Sequence, residues 1–144
     1  MLYLDTSILV AAVSREASTP RVLDWLGKLS DGLSDADLVA TDWSLTEVAS
    51  ALSWKLRMGT ITLAEQTAAR AGFSTLVSDQ LQILQVERAD FSAASRMVER
   101  RDMAMRAPDA LHLAVAARNG AAFATLDRQQ EAAARAAGLS VVDV

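Results

Sequence analysis

The spacing of apolar residues along the chain alternates between short continuous runs and longer stretches of helical period, and this alternation sets out strands and helices in turn. Leu2, Tyr3 and Leu4 run straight into Asp5-Thr6-Ser7. That reads as a short buried strand ending in a polar turn that opens a helix. Residues 8–13 continue as an apolar turn or two, and Ser18-Thr19-Pro20 is the cap and first turn of a second helix, with Val22, Leu23, Trp25, Leu26 and Leu29 on one face. Asp31-Gly32 ends that helix, and Leu38-Val39-Ala40 is a short strand reaching Thr41-Asp42. The most regular helical segment covers residues 43–58, with Leu45, Val48, Ala49, Leu52 and Leu56 as a buried stripe and Gly59 as its stop.

A further helix over about 63–76 leads to residues 81–86, whose six-residue alternation predicts a strand. Asp90 then caps a helix reaching about residue 101. Residues 106–114 open a short Ala-rich helix with Pro108 suited to the first helical position, and Asn119-Gly120 stops it. Residues 121–124 form a strand ending in Thr125-Leu126-Asp127. A last helix covers about 128–137, Gly138 turns the chain, and Val141-Val142 is a closing strand. Strands alternating with helices imply a parallel sheet covered on both faces.

At 144 residues the chain fits one domain, residues 1–144, long enough to bury roughly 68–70% of the surface its unfolded form exposes. It has no cysteine, which excludes disulfides, thiolate metal sites and a cysteine nucleophile and suits a reducing cytoplasm. A single histidine, His112, excludes any site built on two imidazoles. No apolar run approaches the ~18 residues of a membrane span, so a soluble cytoplasmic protein without a membrane partner is expected. The net charge of -4 argues against a generally basic surface that coats nucleic acid, though it leaves room for local basic patches.

Acid chemistry is what remains. Asp5, Glu47, Asp109 and Asp127 are each placed within about a turn of a predicted helix N-terminus. Each has an ordinary explanation: Asp5 as a cap, Glu47 in a capping box with Ser44, Asp109 and Asp127 as answers to a helix dipole. A parallel sheet, however, brings helix N-termini to one edge, where four carboxylates can share a cleft. Unpaired carboxylates that close raise one another's pKa unless cations neutralise them. Oxygen-only ligands suit Mg²⁺ or Mn²⁺, and such an ion activates water for phosphodiester hydrolysis.

In this order and spacing, Leu4-Asp5-Thr6-Ser7, Leu45-Thr46-Glu47-Val48, Pro108-Asp109-Ala110-Leu111-His112-Leu113-Ala114 and Thr125-Leu126-Asp127 resemble a PIN-domain ribonuclease of the VapC toxin type. Asp90-Phe91 and Gly138-Leu139-Ser140-Val141-Val142 add lesser matches, so the resemblance spans the chain. It implies a three-layer α/β/α domain with a central parallel sheet of four to five short strands. It also implies a Mg²⁺- or Mn²⁺-dependent endoribonuclease with its acidic site at Asp5, Glu47, Asp109 and Asp127, supported by the hydroxyls of Thr6, Ser7 and Thr125. A homodimer, an RNA substrate and a cognate VapB-type antitoxin are the partners it implies. The chain departs from the family pattern at Arg128-Gln129-Gln130, where relatives often carry a further acid or Asn, and at Pro108 before Asp109.

Other features are weighed against plainer readings. His112, three residues after Asp109, reads as a packed imidazole rather than a proton carrier. Trp25, Trp43 and Trp54 lie in apolar stripes and read as core or dimer surface rather than stacking platforms. Arg96, Arg100, Arg101 and Arg106 are the densest basic cluster; they form either a solvated face balanced by Glu99 and Asp102 or a phosphate track, with Arg96 and Arg100 sharing a helical face. Two rivals to a nuclease remain open. One is a PIN-like interaction module without catalysis; the other is a haloacid-dehalogenase-like phosphatase, which needs a second Asp where this chain has Ser7.

Overall fold

A computed structural model describes residues 1–30 and 37–144; the predicted helix stop at Asp31-Gly32 lies outside the described residues. In chain order the elements are β1 (Leu2–Leu4), α1 (Thr6–Val13), α2 (Thr19–Ser30), β2 (Leu38–Thr41), α3 (Asp42–Arg57), α4 (Leu63–Asp79), β3 (Leu81–Leu84), α5 (Arg88–Val98), α6 (Ala107–Arg118), β4 (Ala122–Ala124) and α7 (Arg128–Ala136). The four strands pair in the order β3-β2-β1-β4, all parallel. The expected closing strand is only a bridge between Val141 and Phe123 on the outer edge of β4.

Alternation along the strands divides the interior into two cores, because successive side chains point to opposite faces. Leu2, Leu4, Ala40, Leu81 and Ala124 face one side, where Ile8 and Leu9 of α1, Val22 of α2, Val48 and Leu52 of α3 and Ala69 of α4 cover them. Tyr3, Val39 and Phe123 face the other, under Leu113, Val115 and Ala116 of α6 and Ala133 and Ala134 of α7. Tyr3 stacks on Phe123 with ring centroids 5.5 Å apart. The result is the three-layer α/β/α arrangement that the alternation predicts.

Local details differ from the sequence reading for identifiable reasons. Leu23 and Ala49 are exposed, since α2 and α3 each bury a stripe narrower than their apolar content. The strand expected over 81–86 stops at Leu84, and the Gln85 carbonyl instead accepts a 2.8 Å hydrogen bond from Arg118 Nη2. Asp90 is not the cap of α5. Glu87 occupies that position, and Asp90 reaches back from the first turn to accept the Glu87 amide at 2.8 Å. The helix also ends at Val98, short of residue 101. At the ends of α3 and α6, Gly59 and Gly120 take φ of 69° and 62°, the left-handed conformation that closes a helix and that a side chain disfavours.

Asp90 ties α5 to α6. It is buried, and its carboxylate accepts from Arg118 Nε at 2.7 Å and Nη2 at 3.0 Å, while Arg118 Nη1 reaches Glu87 at 2.9 Å. Burial alone would raise the Asp90 pKa, but the Arg118 and Glu87 hydrogen bonds and the Arg118 charge outweigh it and hold the carboxyl below its usual range. Asp90→Ala should therefore destabilise the protein by about 1.5–3 kcal/mol near neutral pH, the scale of hydrogen bonds to a charged group. A depressed folded pKa means the contribution is present above the unfolded value of about 3.9 and is lost as pH falls through the lower folded value. Urea unfolding of wild type and Asp90→Ala should show a gap that is constant near neutrality and closes below about pH 3.9. A gap independent of pH would contradict the ion-pair account.

Candidate active site at the carboxyl edge of the sheet

β1 lies between β2 and β4, so the chain leaves it in opposite directions on its two sides, and a crevice opens beyond the strand ends at such a switch point. Asp5 stands at this point. It follows β1 directly, donates its amide to the Ala124 carbonyl at 3.0 Å and caps α1, accepting the Ser7 amide at 3.0 Å. Asp5 is only 5% exposed. Burying a carboxylate is costly unless donors surround it, and here they do. Ser7 Oγ donates at 2.6 Å, Thr125 Oγ1 lies at 3.1 Å, and Gln130 Nε2 donates to Oδ1 at 3.1 Å. Ser7 Oγ also accepts the Leu126 amide at 2.9 Å, which stitches the β1 turn to the β4 turn.

Glu47 projects toward the same edge from α3. The capping box offered above as its ordinary role is absent, because Thr41 caps α3 and Ser44 completes the box with it. Glu47 Oε2 instead accepts from Thr6 Oγ1 at 2.6 Å and bonds His112 Nε2 at 2.6 Å. His112 is buried, as the packed reading expects, yet it touches the acids as well as the core. Its Nε2 lies 3.8 Å from Asp5 Oδ1, and Tyr3 OH lies 2.7 Å from its Nδ1. Burial pulls the imidazole pKa down, but the Glu47 hydrogen bond and the field of Asp5, Glu47 and Asp109 raise it overall.

Asp109 and Asp127 complete the edge while serving as helix-terminal acids. Asp109 accepts the Arg106 amide at 3.1 Å, and Asp127 caps α7 by accepting the Gln129 and Gln130 amides at 2.7 and 3.2 Å. The two line a common cavity of about 500 Å³ with Arg106 and Gln129. Burial raises the Asp109 pKa; the Arg106 amide opposes this, and the charges of Asp5 and Asp127 add to it. The Arg106 amide and the His112 imidazole offset part of this, but the net direction stays upward. The edge therefore gathers all four acids and all three supporting hydroxyls. As the side chains stand, no three acids or imidazoles among the described residues close around a point that would hold a metal ion, since each carboxylate is turned onto a protein donor.

Three features escaped the sequence. Gln130, in the segment that departs from the family pattern, is buried and bridges Asp5 and Thr125, accepting from Thr125 Oγ1 at 2.7 Å. Its place three residues after a capping Asp is the one sequence hint. Tyr3 shares the strand face of Asp5, two residues on, and alternation alone foretold that side. Third, a groove of about 960 Å³ leads from Thr6, Ser7, Glu47 and Asp127 along α2 and α3, flanked by Arg21, Lys55 and Arg57 and by Trp54. Lys55 is paired with Glu16 at 2.6 Å. Arg21 and Arg57 are far apart in sequence, so no charge run announced them.

The densest basic cluster in sequence is less coherent in space. Because α5 ends at Val98, Arg96 and Arg100 do not share a helical face. Arg100 is bound to Asp102 by Nε at 3.1 Å and Nη2 at 2.6 Å and also donates to the Ala136 carbonyl. Arg96 and Arg101 are exposed, and Arg106 alone of the four lines the acidic cavity. Trp25 packs into the first core, whereas Trp54 is 56% exposed. Trp43 borders an apolar hollow of about 570 Å³ with Phe91, Val98, Pro108 and Leu111.

A parallel α/β/α domain with acids gathered at the carboxyl edge of its sheet is the architecture of the PIN class. The PIN domain family model matches residues 2–136, and the chain belongs to that family. Its fold is similar to that of VapC20 of Mycobacterium tuberculosis, a Sarcin-Ricin loop cleaving toxin, with a TM-score of 0.72 at 16% identity over 99% of this chain and 98% of that one. VapBC2 from Rickettsia felis, bound to a DNA fragment from its promoter, matches with a TM-score of 0.70 at 17% identity, covering 99% and 98% of the two chains. FitAcB from Neisseria gonorrhoeae matches with a TM-score of 0.68 at 16% identity, covering 99% and 97%. No curated protein sequence matches the chain. Among the described residues no helix is long and apolar enough to cross a membrane.

Because burial and the charges of Asp5 and Asp127 both disfavour the ionised Asp109 carboxylate, Asp109→Asn should raise the stability of the metal-free protein by roughly 0.5–1 kcal/mol, the scale of partly solvated charge pairs. The Asn side-chain oxygen still accepts the Arg106 amide. Thermal unfolding in a chelator checks this, and a variant less stable than wild type would show that capping outweighs repulsion.

Proposed function

We propose that the protein is a divalent-metal-dependent endoribonuclease, the toxin of a type II toxin-antitoxin pair, working at Asp5, Glu47, Asp109 and Asp127. The observation that carries this reading is the convergence of four carboxylates on one edge of a PIN domain without a lysine or arginine paired to any of them among the described ion pairs. Such an arrangement favours the binding of added positive charge. The donor set consists of hard oxygens, which fits Mg²⁺ or Mn²⁺ once the carboxylates turn from their protein donors. When bound, the ion supplies a water of lowered pKa and neutralises charge building on the phosphodiester.

The chain's own residues do the rest. Ser7, Thr125 and Gln130 fix Asp5 in a buried place, and Thr6 holds Glu47 toward it. Arg21 and Arg57 flank the groove that enters the site, which suits the phosphates of a single strand; Arg106 stands beside Asp109 and Asp127 for the same purpose. Arg96, Arg100 and Arg101 have a smaller part in this reading, since Arg100 is already neutralised. A VapB-type antitoxin is the proposed silencing partner, supported by the likeness to VapBC2, and a homodimer is the proposed assembly, supported by the apolar hollow beside Trp43 and Phe91. A phosphatase is disfavoured because Ser7 is committed to Asp5 and Leu126.

Asp5→Asn should abolish RNA cleavage while the fold persists; wild-type turnover in that variant would sink the site assignment. Mn²⁺ should raise the melting temperature of wild type, the expected gain being about 2.7 kcal/mol at a hundredfold excess over the dissociation constant. Glu47→Gln should gain clearly less. Equal gains in both proteins would leave a site of three acids, and no gain in either would favour an interaction module without catalysis.

A further inference from the structure

Tyr3 and His112 are the one tyrosine and the one histidine of the chain, and the fold buries them against each other. Their rings meet edge to face with centroids 5.7 Å apart. From Tyr3 a single hydrogen-bonded line leads to the acids. Tyr3 OH lies 2.7 Å from His112 Nδ1, and His112 Nε2 lies 2.6 Å from Glu47 Oε2. On its other side Tyr3 OH is 3.3 Å from Thr41 Oγ1, the cap of the helix that carries Glu47. A carboxylate only accepts, so the hydrogen between His112 and Glu47 belongs to Nε2. Thr6 Oγ1 donates to the same oxygen at 2.6 Å. Two donors thus converge on Oε2, and Oε1 makes no hydrogen bond among the described residues.

We propose that His112, braced from behind by Tyr3, is a positioning residue: together with Thr6 it clamps Glu47 Oε2 and so presents Oε1 to the space beside Asp5. The inference rests on the reading of these acids as the active site. A histidine packed only for volume needs neither a donor aimed at a carboxylate nor a buried phenol fixed to its second nitrogen. Glu47 has the longest side chain of the four acids and is the only one rooted inside a helix rather than in its first turn or at its cap. It therefore has the most rotamer freedom to lose, and a clamp matters most there. Hydrogen-bond partners that orient a metal-ligating side chain typically carry 10- to 100-fold in metal affinity or activity.

Because the chain has one imidazole, ¹⁵N-histidine NMR of the full metal-free protein reads this line directly. Nε2 should carry a hydrogen and shift on Glu47→Gln, and Nδ1 should shift on Tyr3→Phe. An Nε2 without hydrogen, or resonances indifferent to both substitutions, overturns the proposal. His112→Leu, which keeps volume but removes the donor, should lower Mn²⁺ affinity by calorimetry and kcat on RNA by about tenfold or more with KM little changed. His112→Gln, which keeps an N–H donor, should recover most of the loss. A folded His112→Leu protein with wild-type Mn²⁺ affinity overturns the proposal, and so does equal loss in the Leu and Gln variants. If His112→Leu does not fold, the NMR arm and His112→Gln decide. Absence of RNA cleavage by wild type counts against the proposed function alone, since the NMR and Mn²⁺ arms do not depend on it.

Discussion

Parallel pairing of β1 with β2 on one side and β4 on the other is the constraint from which the rest of the structure follows. It aligns Leu4 with Ala124 and Tyr3 with Val39, so the turns after three strands finish at one level. Each turn opens a helix, α1, α3 or α7, and each helix brings its unsatisfied amides to that level. Asp5 caps α1 and Asp127 caps α7 at these turns, while Asp109 comes from the first turn of α6, which follows α5 and a loop. The same geometry that makes each one favourable at its own helix start makes the group costly together, because the carboxylates share one crevice and their negative charges repel.

The protein manages this tension by degree of burial. Asp5, the most buried of the site acids, accepts from Ser7 in its own turn and from Gln130 of α7, with Thr125 Oγ1 packed against it. Asp109 has one amide and two negative neighbours, and its partial burial, with those neighbours adding to it, raises its pKa.

Much of the fold was legible in the sequence because the strands are so short and so apolar. Leu2-Tyr3-Leu4 and Ala122-Phe123-Ala124 each stop at a polar turn, and the periods of α3, α6 and α7 emerge with boundaries within a residue or two. The misplacements of Asp90 as a cap and of β3 as six residues long lie where Arg118 arrives from a distant helix to take the Asp90 carboxylate and the Gln85 carbonyl, which local pattern does not register. Arg96 and Arg100 part because α5 ends at Val98.

For the site, the sequence determined which carboxylates stand near helix starts, because capping and helix period are local properties of a few consecutive residues. It also determined that no cysteine and only one imidazole take part. Tertiary structure decided the partners. Glu47 lost Ser44 to Thr41 and gained Thr6 and His112, 41 and 65 residues away; Asp5 gained Gln130, 125 residues away; and Arg21 and Arg57 met across a groove. A hydrogen bond of a few ångströms between residues this far apart depends on how the layers pack, and that is set by the whole arrangement of apolar faces and by no single stretch of chain.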